Sequence, residues 1–131
     1  MQSIRKSLWI NSSPDKVWSA IADVGAVASW FPSIAASRLD GTIRTCTLER
    51  GGTVVEEIVR VDHSLCRLQY RVKSGMPATA HLATVDVIDG EDGRSLVVYS
   101  TDVEPDRLGA LIGSSIEAAL VNLERLVAES K

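Results

Sequence analysis

Apolar and polar positions change period twice along the chain. Over Ser3–Ile10, Ile4, Lys6, Leu8 and Ile10 share one parity, which predicts a first strand. The stretch SSPDKVWSAIADV then repeats at helical spacing, with Val17, Trp18, Ile21 and Val24 on one face. Ser13 is a suitable N-cap, Pro14 fits the first helical position, and Asp15 complements the helix dipole. Gly25 is expected to stop this helix, and Ala26–Trp30 to form a second short turn before Pro32.

From Ser33 to Val103 the period is that of strands. Six are expected, near Ile34–Leu39, Ile43–Arg50, Thr53–Val61, Cys66–Val72, Thr79–Ile88 and Leu96–Val103. Asp40-Gly41 and Gly51-Gly52 supply the positive-φ chemistry of tight hairpins. The remaining breaks are too short for parallel crossovers, so the strands should form an antiparallel meander. Alternation places Leu68, Tyr70 and Val72 on the inward face, followed by His81, Ala83, Val85 and Val87 on the next strand. Val97, Tyr99, Thr101 and Val103 do the same on the last, and Cys46 and Leu48 on the third. The fourth strand is ambiguous: Val54-Val55 and Ile58-Val59 are adjacent apolar pairs, so either Glu56 or Glu57 points inward, and a bulge would reconcile them.

Pro105–Glu129 returns to helical period, with Leu108, Leu111, Ile112, Ile116, Leu120, Leu123 and Val127 at three- and four-residue steps. At roughly 1.5 Å per residue such a helix spans a whole small domain. Its apolar face needs a partner surface, and the sheet is the only large one available, so the sheet must wrap around the helix. Gly109, Gly113, Ser114 and Ser115 weaken the helix, each glycine by about 1 kcal/mol relative to alanine. Either close packing on the sheet or space left for a ligand would account for them.

The chain has 131 residues, 45% apolar and 24% charged, and no linker or repeat interrupts it. These values describe one globular domain over residues 1–131, with no disordered or collagen-like character. A net charge of -3 argues against a nucleic-acid-binding surface. No apolar run reaches the ~18 residues of a membrane span, and no signal segment opens the chain. Two cysteines, Cys46 and Cys66, make no disulfide framework or zinc spacing, so a soluble cytoplasmic protein is expected, as monomer or homodimer.

The order strand, helix pair, antiparallel meander and long final helix resembles the START-like SRPBCC superfamily. More narrowly, it resembles the small bacterial polyketide cyclase/dehydrase and lipid-transport branch. The segments that carry the likeness are SPDKVWSAIADVGAVASWFPSI, GGTVVEEIVRVD with CRLQYRV, SGMPATAHLATVDV, and GRSLVVYSTDVEP before the last helix. The resemblance implies an α+β helix-grip fold. A curved seven-stranded antiparallel sheet would grip the C-terminal helix, with two short helices after the first strand and a cavity for an apolar or aromatic ligand. By the same likeness Trp18 matches the family's helix tryptophan, Trp30 its WFP-like aromatic, and Tyr70 the aromatic of its Y-R-V strand. His81 stands where many members carry a tyrosine or another polar residue, and Tyr99 replaces a common tryptophan. Gly51-Gly52 is a hairpin turn, and the glycine-rich loop of the plant pathogenesis-related relatives is missing.

The expected cavity wall comprises Trp30, Phe31, Tyr70, His81 and Tyr99, with Leu108, Ile112 and Ile116 from the helix. Aromatic faces would stack on a flat ligand while tyrosine hydroxyls orient it. Met76-Pro77 sits in a loop that is either a lid or a plain connection. His81 is the candidate general acid or base, or else a ligand contact or a satisfied core residue. His63, in a turn, reads as solvated, and Ser114 and Ser115 as packing residues with no base beside them. Glu56 and Glu57 cannot both face inward. Surface pairing is favoured for them, and a buried one would need an arginine such as Arg44 or Arg71. No metal-ligand spacing is present and no cofactor is implied. Three functions follow: a binding or carrier protein for a small hydrophobic or aromatic molecule, a polyketide aromatase/cyclase or dehydratase using His81 and the cavity tyrosines, or a protein-interaction domain with a filled cavity.

Overall fold

Hairpin chemistry sets the strand order. The computed structural model describes residues 1–129. Strands β1 (Gln2–Ile10), β2 (Ile34–Asp40), β3 (Ile43–Leu48), β4 (Thr53–Asp62), β5 (Arg67–Ser74), β6 (Ala80–Asp89) and β7 (Ser95–Glu104) form one sheet in the order β1-β7-β6-β5-β4-β3-β2. Every pairing is antiparallel. Strands β2 to β7 are thus the expected meander, and β1 adds to the free edge of β7. The segment between β1 and β2 carries the chain from one edge of the sheet to the other. It holds α1 (Pro14–Ala22) and a 3-10 stretch, Val24–Ser29.

Helix α1 starts as its sequence dictates: the Ser13 side chain accepts a hydrogen bond from Lys16 N at 3.4 Å, with proline in the first turn. Its end differs from expectation. The helix stops at Ala22, and Gly25 lies inside the 3-10 stretch that follows. The chain tightens there because Val24 and Val27 are both buried. Glu49 and Arg50, expected to end the third strand, sit in the turn instead, since Gly51 and Gly52 take φ of 95° and 92°. Cys66 precedes β5 with φ 54°, so that strand begins one residue late and runs on to Ser74.

Helix α2 (Gly109–Glu129) follows a 3-10 turn at Asp106–Leu108, so the final helix starts later than its periodicity suggested. It buries Ile112, Ile116, Ala119, Leu120, Leu123 and Val127. Both glycines face β1: a Cβ on Gly109 would meet the end of the flexible Gln2 side chain, and one on Gly113 would sit in ordinary contact, 3.4 Å, with Ile4 and Lys6. The core beneath contains Val85, Val97, Ala83 and Val103, all at 0% exposure, as alternation required. No helix among the described residues is long and apolar enough to cross a membrane.

Candidate functional site

While α2 leans on β1, it stands away from the β3–β5 side of the sheet, and a cavity of about 410 Å³ fills the gap. That volume falls in the range of small-molecule sites, about 300–1,000 Å³. The 3-10 turn contributes Leu108 and α2 contributes Ile112, Ser115 and Ile116 to its wall, and the sheet contributes Leu48, Val54, Tyr70, Val72, His81 and Thr101. Val27, Phe31 and Ile34 close one side. The solvent-exposed lining residues mark the opening: Ser33 before β2, Glu49 and Arg50 of the β3–β4 turn, Gly75 and Pro77 of the β5–β6 loop, and Leu111. The Met76-Pro77 loop therefore borders the entrance.

Six of the eight expected wall residues, Phe31, Tyr70, His81, Leu108, Ile112 and Ile116, line the cavity. Trp30 and Tyr99 do not; both are buried behind the wall. Tyr99 stacks edge-on to Trp30 and Phe31 at 6.3 and 6.4 Å between centroids, and its hydroxyl meets that of Tyr70. Asn122 of α2 donates to the Trp30 carbonyl at 3.2 Å. Trp30 thus ties the end of the 3-10 stretch to α2, a packing role that its aromaticity alone could not distinguish from a ligand contact.

Surface pairing fails for Glu56. Glu56 shares the inward parity of Val54, in unbroken register with β3, and the extra β4 residue that breaks the alternation, Val59, comes only after it. Opposite it on β3 stands Arg44, whose Nε and Nη2 both lie 2.7 Å from Glu56 Oε1. Arg44 Nη1 donates to the Val24 carbonyl at 3.0 Å, and the guanidinium lies 4.7 Å from the Tyr70 ring centroid. The side chains are 2% and 9% exposed. Burial pulls the Arg44 pKa down, but Glu56 and the two tyrosine oxygens outweigh it, and the guanidinium stays firmly charged. Glu57 follows the surface reading, pairing with Arg71 at 3.2 Å. The Cys46 thiol also approaches Glu56 Oε1, at 3.6 Å, and burial pushes its pKa up to about 12, so it is no thiolate nucleophile. Burial likewise raises both tyrosine hydroxyls above their ordinary range.

His81, on β6, lies two strands from Glu56, with Val72 of β5 between them. Glu56 is opposite Val72, and Val72 N donates to His81 Nδ1 at 3.1 Å. An amide N–H can only donate, so Nδ1 is the unprotonated nitrogen and Nε2 carries the hydrogen. Burial lowers the imidazole pKa to about 4, leaving it neutral near pH 7. His63 is exposed but not simply solvated: its Nδ1 accepts from Trp18 Nε1 at 3.1 Å, clasping α1 to the β4–β5 turn. Ser115 borders the cavity, whereas Ser114 is exposed.

A curled antiparallel sheet gripping a C-terminal helix over an internal hollow defines the START-like, helix-grip class. Within it, the chain belongs to the family described as polyketide cyclase/dehydrase and lipid transport, whose model matches residues 1–128. Among solved structures, the protein XoxI from Bacillus cereus is 24% identical, with a TM-score of 0.92 over 98% of this chain and 96% of that one. A START superfamily protein from Mycobacterium smegmatis is 16% identical, with a TM-score of 0.86 over 98% and 99%. Norcoclaurine synthase from Thalictrum flavum, solved with dopamine and hydroxybenzaldehyde, is 18% identical, with a TM-score of 0.78 over 99% and 88%. At these identities the likeness speaks to the fold. No curated protein matches the chain.

Proposed function

We propose that this chain is a binding or carrier protein for a small hydrophobic or aromatic molecule, held between α2 and the β3–β6 part of the sheet. Apolar burial along Phe31, Val72, Ile112 and Ile116 supplies the affinity, and the polar row on the sheet sets the orientation. One observation carries binding over catalysis: the only lone pair of neutral His81 is already taken by the Val72 amide. A general base needs that lone pair free and a pKa near the working pH. His81 has neither, and its Nε2–H is left as a fixed hydrogen-bond donor. The tyrosine hydroxyls bond to each other, which further weakens a cyclase reading built on them.

Native mass spectrometry of freshly purified protein is expected to show a retained small molecule, and His81→Ala to keep most of it. Turnover of a poly-β-keto substrate that His81→Ala abolishes with folding intact would establish the cyclase reading instead. Protein that neither retains nor takes up any small apolar molecule would leave the interaction-domain reading.

A further inference from the structure

The ion pair at the cavity is lopsided. Glu56 Oε1 receives both Arg44 contacts and the Cys46 thiol, whereas Oε2 has no hydrogen-bond partner among the described residues. Trp30 Nε1 is the only fully sealed side-chain polar atom without a partner among those residues. Glu56 Oε2, on a side chain only 9% exposed that lines the cavity, is therefore open to the cavity itself. Resting on the ligand-binding reading, we infer that the cavity selects an uncharged aromatic molecule bearing a hydroxyl group, and that Glu56 recognises the hydroxyl.

Charge balance and the unpaired Oε2 disfavour ligands that are charged or bring no proton to it. Arg44 and Glu56 sum to zero, and His81, Tyr70, Thr101 and Ser115 add no charge. A carboxylate ligand would bring a second negative oxygen to an acceptor that has no proton to share. An ammonium would lose its hydration for a carboxylate already neutralised by Arg44. An ether or ketone offers no proton and leaves Oε2 desolvated and unpaired. A neutral hydroxyl donates one charge-assisted hydrogen bond and buries no net charge.

Calorimetric titration of the wild-type chain at pH 7 with 2-naphthol, 2-methoxynaphthalene and 2-naphthoate tests this. The expected result is that 2-naphthol binds about tenfold or more tightly than either of the others. In Glu56→Gln, whose amide can keep its oxygen on Arg44 and turn its NH2 to the cavity, the naphthol preference should vanish or reverse toward the ether. A merely structural Glu56 would weaken all three ligands alike. If that variant does not fold, the wild-type ranking decides alone. Equal wild-type affinity for naphthol and its methyl ether overturns the inference and leaves ligand binding standing; failure of all three to bind overturns both.

Discussion

The β1–β7–β6 and β4–β3–β2 sides of the sheet are built from the same alternation yet end differently. On the first side β1 and β7 pair from Gln2 to Ile10, and β6 and β7 from Ala80 to Asp89, with no break in register. Valines and Ala83 are buried there, His81 and Thr101 alone of β6 and β7 reach the cavity, and α2 meets β1 at Gly109 and Gly113. On the other side the β4–β5 pairing shifts register twice and the β2–β3 pairing once, charged side chains turn inward, and α2 is held off. A helix that meets the sheet at β1 leaves a wedge toward β3–β5.

Breaking the buried ion pair should have the largest effect. Glu56→Leu or Arg44→Met alone leaves an uncompensated buried charge and is expected to cost about 3–5 kcal/mol in urea denaturation. The double variant should recover most of that loss. Strictly additive losses would show that the two charges do not depend on each other.

Next in size is a contrast along α2. Leu123, at 0% exposure on the packed half, should cost about 2–5 kcal/mol as Leu123→Ala. Ile112→Ala, beside the hollow, removes fewer contacts and should cost at least about 1 kcal/mol less. Equal losses in these denaturation curves would mean that the interior is equally dense at both ends.

A smaller effect belongs to pH. His81 is held near 4 when folded, below its ordinary value of 6.5, so between those values the unfolded chain binds the extra proton. Stability therefore falls as pH drops from about 6.5 to about 4, by up to ~3 kcal/mol, and this group adds no slope above that window. The pH dependence of wild type minus that of His81→Gln isolates this contribution. A difference that stays flat through the window would show that the imidazole protonates freely in the fold.

Strand order, the gripped helix and most of the cavity wall were legible because each rests on short-range signals: hairpin glycines, alternation, and the three-to-four spacing of Leu108, Ile112 and Ile116. Whether a buried aromatic faces a void or another side chain leaves no such signal, which is why Trp30 and Tyr99 were expected at the wall and lie behind it. The ion pair was readable in part. If Cys46 and Leu48 point inward, so does Arg44 two residues earlier, and an inward arginine requires an acid on the neighbouring strand. What hid it was the bulge at Val59: the adjacent apolar pairs signal a break in alternation without locating it, so the parity of Glu56 stays open in the sequence.

The wedge between α2 and the β3–β5 side is most directly tested by two-dimensional 1H–15N NMR during titration with naphthalene. Saturable shifts should cluster on Phe31, Tyr70, Val72, Ile112 and Ile116, while the outer residues Trp9 and Ile88, both exposed, stay unmoved. No saturable shift, or shifts confined to that outer face, would contradict the hollow as a binding site.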